Sequence, residues 1–113
     1  MFTLQWTGAA DQQYRALRDR AAKSAPPGKS KKKSSKDAGL FKQVSKTLIQ
    51  LRENPRHPGL RTRPYHSLPH PYKKGEKVFE AYAQNETPGA YRVFWCYGPN
   101  EREITIIAIT PHP

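Results

Sequence analysis

Arg92 and His112 are the two residues of this chain whose types and placement could run a reaction together. Arg92 opens the alternating segment Tyr91-Arg-Val-Phe-Trp-Cys-Tyr97, and His112 follows the β-branched run Ile104-Thr-Ile-Ile-Ala-Ile109. Gly98-Pro99-Asn100 supplies a turn between them, so the two segments read as a β-hairpin. Antiparallel partners reverse direction, which sets the start of the first strand beside the end of the second. A guanidinium fork able to hold two oxygens of an anion would then share a sheet edge with an imidazole, the side chain that titrates nearest neutrality.

More groups of the same kinds stand upstream. The segment 56–75 carries His57, His66 and His70 together with Arg61, Arg63, Lys73 and Lys74. Because Tyr65-His-Ser-Leu-Pro-His70 leads toward the strand before the hairpin, His66 or His70 could partner His112. Loop histidines also serve by hydrogen-bonding loop backbone; for His66 and His70 both readings stand, and for His57 the backbone role is preferred. Glu80 and Tyr82 share one strand face and offer an auxiliary base and phenol, although a solvated carboxylate and a core tyrosine is the plainer reading. Tyr91, Trp95 and Tyr97 form an aromatic face expected to pack against helices rather than to stack on bases. Arg92, on the other face, is expected to point into an open concavity. No metal site is expected, since positions 57, 66, 70 and 112 contain one short pair in a proline-rich loop and no cysteine pair assists.

The elements that would position these groups follow from periodicity. Phe2-Thr-Leu-Gln-Trp6 alternates and reads as a first strand. Ala10, Tyr14, Leu17 and Ala21 mark one face of a helix over about 9–22, and Leu40, Val44, Leu48 and Leu51 mark a second, with Asp37 as its N-cap and Asn54-Pro55 as its stop. Val78-Phe-Glu-Ala-Tyr-Ala83 is a strand leading through a turn into the hairpin. The order β-α-α-β-β-β gives an α+β fold, an antiparallel meander with two helices packed on one face. At 113 residues the chain reads as one domain, 1–113.

The charge is uneven. Of a formal +11, residues 1–75 hold 17 Lys/Arg against 4 Asp/Glu, whereas 76–113 hold 3 against 5. Such a balance calls for a polyanionic partner. The segment at about 23–36, with six lysines and four serines around Pro-Pro-Gly, buries nothing and is expected to be mobile. A phosphate-binding arm that includes Lys31, Lys32 and Lys33 and a solvated loop both fit it. Cys96 is the single cysteine, which rules out an intrachain disulfide. The N-terminus lacks a signal-peptide pattern and no run approaches a membrane span, so a soluble cytoplasmic protein without membrane contact is expected.

The order of elements resembles the RelE/ParE superfamily, the toxin halves of bacterial type II toxin–antitoxin pairs. The residues that carry the likeness are Leu51-Arg-Glu-Asn-Pro55, Pro58-Gly59-Leu60, the Ala90-Tyr-Arg-Val-Phe-Trp95 strand and the Ile107-Ala-Ile-Thr-Pro-His112 finish. The resemblance covers the chain apart from the Lys/Ser segment. It implies a ribosome-dependent endoribonuclease that cuts mRNA in the ribosomal A site without a metal or cofactor, contacts ribosomal RNA, and is silenced by an acidic antitoxin protein. It assigns Arg92 to the scissile phosphate and His112 to proton transfer. Two alternatives are a non-catalytic RNA- or antitoxin-binding relative and a ParE-like gyrase inhibitor. One departure is that the sequence ends at Pro113, where the family often supplies a further aromatic residue.

Overall fold

The computed structural model describes residues 1–24, 31–84 and 89–111, with backbone only for Ser24 and residues 31–35. Strand β1 (Thr3–Trp6) runs into helix α1 (Gly8–Ser24). Thr7 makes that junction. Its Oγ1 accepts from the Ala10 amide at 3.1 Å, a side-chain cap, and donates to the Ile107 carbonyl at 2.7 Å, so the helix start is tied to the far end of the sequence. Helix α2 (Lys31–Glu53) returns antiparallel to α1 and stops ahead of Pro55. Asp37 is not its N-cap. The helix begins earlier, at Lys31, and Asp37 within it pairs with Arg20 of α1 at 3.5 Å.

A 3-10 turn (Pro58–Leu60) and four strands follow: β2 (Arg63–Pro64), β3 (Phe79–Tyr82), β4 (Tyr91–Tyr97) and β5 (Glu103–Pro111). The expected all-antiparallel meander is corrected in two respects. β2 adds a short edge strand against β3, and β1 joins the opposite edge in parallel with β5. The sheet is therefore mixed, in the order β1-β5-β4-β3-β2.

Both helices cover one face. Ala10 and Leu17 of α1 and Val44, Leu48 and Leu51 of α2 meet Ala81, Val93, Trp95, Ile104, Ile106 and Ile109 from the sheet. Ile104 and Ile106 are even positions and Ile109 an odd one, yet all three face the helices. A bulge at Phe94/Trp95 explains this, because Phe94 pairs with Ala108 while Trp95 pairs with Ile106. The extra residue, Ile107, reverses the alternation and returns the strand's second half to the core. Each of these fully buried isoleucines contributes about 1.5–3 kcal/mol by leaving water.

Candidate functional site

With Val93 and Trp95 turned to the helices, Arg92, Phe94 and Cys96 occupy the outer face of β4. Register adds their neighbours: Tyr82 lies opposite Arg92 and Glu80 opposite Phe94 in β3, with Arg63 of β2 opposite Glu80. Glu80 is thus the diagonal neighbour of Arg92, within reach of a long side chain.

The three groups make one cluster. Arg92 Nε stands 3.5 Å from Glu80 Oε1, its guanidinium carbon lies 3.9 Å from the centre of the Tyr82 ring, and Nη1 donates to the carbonyl of Ala90 at 3.1 Å. Arg63 approaches the same phenol ring at 5.5 Å. Arg92 is 4 % exposed and Glu80 6 % exposed. Three expectations are corrected here. Arg92 is buried against a counter-charge rather than presented to an open concavity, and Glu80 is its buried partner rather than a solvated carboxylate. Tyr82 lies on this outer face, not in the core beneath the helices. The 3.5 Å ion pair is longer than a formed charge-assisted hydrogen bond, and Arg92 Nε has no hydrogen-bond acceptor. The guanidinium is held by the Glu80 field, by the Tyr82 ring and by Nη1 donating to the Ala90 and Tyr91 carbonyls.

The histidines separate from it. His70 Nδ1 accepts the amides of Tyr72 and Lys73 at 3.1 and 3.0 Å, and Nε2 lies 3.3 Å from the Tyr97 carbonyl. The ring is thereby a staple between the loop and the end of β4. Tyr97 stands at the opposite end of that strand from Arg92, about 17 Å away at ~3.3 Å per residue. His66 lines a depression of about 430 Å³ with His70 and Val78, again at the far end of β3 from Tyr82. The loop therefore does not bring His66 or His70 to Arg92. His57 accepts the Gly59 amide at 2.9 Å and caps the 3-10 turn, the backbone role expected of it.

The other candidate cations are dispersed along the chain. Arg61 is exposed in a left-handed backbone conformation (φ 51°) after the 3-10 turn. Lys73 and Lys74 are exposed, Lys73 lining a depression of about 470 Å³ with Tyr72, Phe79 and Tyr97. Lys31, Lys32 and Lys33 lie in the first turn of α2. The ladder brings Pro111 opposite Tyr91; His112 is outside the described residues, as are 25–30 of the Lys/Ser segment. Among the described residues no group of three His, Cys, Asp or Glu could hold a metal ion, and no helix is long and apolar enough to cross a membrane.

Cys96 is buried on the outer face. Burial pushes its thiol up to about 11, against a backbone hydrogen bond with Thr105 that acts in the opposite direction. A thiol held neutral in this way is a packing group, not a nucleophile.

Neither a family model nor a curated protein matches the chain. Solved structures do. The YoeB/ParE toxin from Agrobacterium tumefaciens aligns with a TM-score of 0.63 at 12 % identity, over 98 % of this chain and 99 % of that one. The chain has the RelE/ParE toxin fold. A chain of the intact E. coli RelBE toxin–antitoxin complex aligns with a TM-score of 0.55 at 12 % identity, over 100 % and 99 % of the two chains. The chromosomal ParDE toxin–antitoxin system of P. aeruginosa follows with 0.54 at 15 %, over 100 % and 98 %. RelE-named and ParE-named structures share this fold with the chain, so the fold alone does not separate their activities.

Sequence reasoning found Arg92, Glu80 and Tyr82 but not their mutual contact. The signal for it was the spacing of Glu80 and Tyr82 on one face of a strand destined to pair with β4.

Proposed function

We propose that this protein is the toxin of a type II toxin–antitoxin pair, a cytoplasmic endoribonuclease that cuts mRNA on the ribosome without a metal ion. The observation that carries the reading is the Arg92–Glu80–Tyr82 cluster, set on the sheet face opposite the helices of a RelE/ParE fold. RNA cleavage by the ribose 2′-hydroxyl needs a base for that proton, a cation for the phosphorane oxygens and an acid for the leaving 5′-oxygen. Arg92 serves as the phosphate clamp. An incoming phosphate competes with the Glu80 carboxylate for the guanidinium; once displaced, Glu80 is a carboxylate beside the scissile group, suited to take the 2′-proton. The bond from the 2′-oxygen to phosphorus forms as the bond to the 5′-oxygen breaks, leaving a 2′,3′-cyclic phosphate. Tyr82 and His112 are the candidates for the proton delivered to the 5′-oxygen. Arg61, Arg63, Lys73, Lys74 and Lys31–Lys33 hold message and ribosomal RNA by charge. An acidic antitoxin is the natural inhibitor.

The engagement of Arg92 by Glu80 also favours a second reading, a protein that binds RNA or an antitoxin and does not cut. Induction in cells, followed by primer-extension mapping of message ends, separates the readings. Codon-phased cuts that vanish in Arg92→Ala support the nuclease. Intact messages with continued growth support the binding protein, and intact messages with arrested replication point to gyrase.

A further inference from the structure

The depression at the Tyr97 end of β4 encloses about 470 Å³, a size within the roughly 300–1,000 Å³ range of small-molecule sites. Tyr72, Phe79 and Tyr97 give it three aromatic rings. The aromatic face of β4 leaves the core here: Trp95 is 1 % exposed, but Tyr97 is 41 % and the nearby Tyr72 48 % exposed. Tyr97 is set by edge-on contacts with Trp95 at 5.0 Å and Phe79 at 6.0 Å. The Tyr72 hydroxyl stands 3.0 Å from Thr105 Oγ1, and its ring meets His70 edge-on at 5.9 Å. His70 also fixes the backbone at Tyr72 and Lys73, and the Glu76 amide donates to the Lys73 carbonyl at 3.1 Å. An exposed loop is thus held in one shape, which lowers the cost of ordering it around a ligand.

The polar rim decides the ligand. Lys73, Glu76 and Lys77 line it from the loop, and Asn100 and Glu101 from the turn between β4 and β5. Two cations against two carboxylates do not make a clamp for a bare polyanion. They suit a ligand that carries an anion, a flat ring and donors on the ring edge, a combination found in a nucleotide. Aromatic side chains take a base by its face, lysine takes a phosphate, and a carboxylate accepts from the exocyclic amino group of a base such as cytosine. We propose that this depression is a nucleotide subsite, with the base on the rings of Tyr72, Phe79 and Tyr97 and the phosphate at Lys73 and Lys77. It lies about 17 Å from Arg92 at ~3.3 Å per residue of β4. The neighbouring depression of about 430 Å³, lined by Tyr65 and His66, shares His70, Glu76 and Lys77 with it. A nucleic-acid strand leaving the first depression therefore enters the second.

The test needs no cleavage assay. Amide and aromatic NMR shifts of the full chain are followed as 2′-deoxycytidine 5′-phosphate or its tetranucleotide is added; neither has the 2′-hydroxyl that cleavage requires. Deoxyribose 5-phosphate is the control without a base. The mononucleotide is expected to move the signals of residues 70–77, Phe79 and residues 97–101 while leaving Tyr82 and Arg92 unmoved. The control is expected to bind at least tenfold more weakly. Tyr97→Leu, which removes a stacking ring, and Lys77→Gln, an exposed change that leaves the fold intact, should each weaken the mononucleotide at least fivefold. Lys42→Gln, the same loss of charge on α2, should leave its affinity unchanged. Two sources of the nucleotide are distinguished by the tetranucleotide. Tighter binding that extends the shifts to Tyr65 and His66 identifies a single strand as the ligand, and equal affinity without that extension a free nucleotide. Equal binding of the control, shifts centred on Arg92, full affinity in both Tyr97→Leu and Lys77→Gln, or no shift with either probe overturns the inference. Binding here by a chain that never cuts RNA leaves the inference standing and the nuclease reading fallen; cutting without binding here does the reverse.

Discussion

Glu80 Oε1 lies 3.5 Å from Arg92 Nε, with both side chains less than a tenth exposed, so the one arginine of β4 is neutralised from the neighbouring strand. Removing one partner of such a pair leaves a buried charge alone, at about 3–5 kcal/mol. Glu80→Gln and Arg92→Met are each expected to lose stability in that range in urea denaturation. The double variant Glu80→Gln/Arg92→Met should lose clearly less than the two single changes added, the sign of direct coupling. Additive losses would show that the pair is not coupled.

His70 is expected to be a structural residue. His70→Ala removes two hydrogen bonds within residues 70–73 and one that ties them to the end of β4, a loss of about 1–3 kcal/mol. Hydrogen exchange at the Tyr72 and Lys73 amides should quicken. Cleavage of ribosome-bound message should stay within a few-fold of wild type, because His70 lies at the Tyr97 end of the strand. A loss of about 100-fold or more in a folded variant, the size of a lost acid–base group, would make it a proton carrier instead.

Cys96 should ionise late. Its thiol is raised from the ordinary value of 9.0 to about 11 in the fold. The unfolded chain therefore releases this proton first as pH rises. The contribution from the buried neutral thiol is complete below about pH 9 and declines toward pH 11. Cys96→Ala should flatten the alkaline fall in stability relative to wild type. Iodoacetamide should leave the folded thiol unlabelled at neutral pH and modify it only on unfolding.

The cations differ by position. Arg63 shares the Tyr82 ring with Arg92, whereas Lys73 lies toward the Tyr97 end. Each phosphate contact removed should flatten the salt dependence of single-stranded RNA binding by about 0.7 in log–log slope. Arg61→Gln/Arg63→Gln is expected to lower both affinity and cleavage, and Lys73→Gln/Lys74→Gln affinity alone. Fluorescence anisotropy over a salt series reads the first, message-end mapping the second.

The sequence made β4 legible to the residue, because Tyr91 to Tyr97 alternates without a break and is bounded by glycines. The face of Arg92 was legible for the same reason. Its burial was not, since the counter-charge arrives from β3 through register, a relation that periodicity within one strand does not contain. The start of α2 was misplaced because Lys31 to Lys36 has no apolar residue to mark a face, while Asp37 has the chemistry of a cap and in the fold serves as an ion-pair partner. β2, two residues including a proline, exists only through its pairing with β3. The parallel seat of β1 likewise depends on a contact between the two ends of the chain.

In the proposed reaction Arg92 holds the scissile phosphate of ribosome-bound mRNA. The most direct test of that role is a purified reaction in which ribosomes programmed with a defined message meet the wild-type chain or Arg92→Ala, with thermal unfolding confirming that the variant is folded. Wild type is expected to cut in the A-site codon, leaving a 2′,3′-cyclic phosphate, and Arg92→Ala to lose about 100-fold or more, the size of a lost charge-stabilising group. A folded Arg92→Ala that cuts at the wild-type rate would contradict that role.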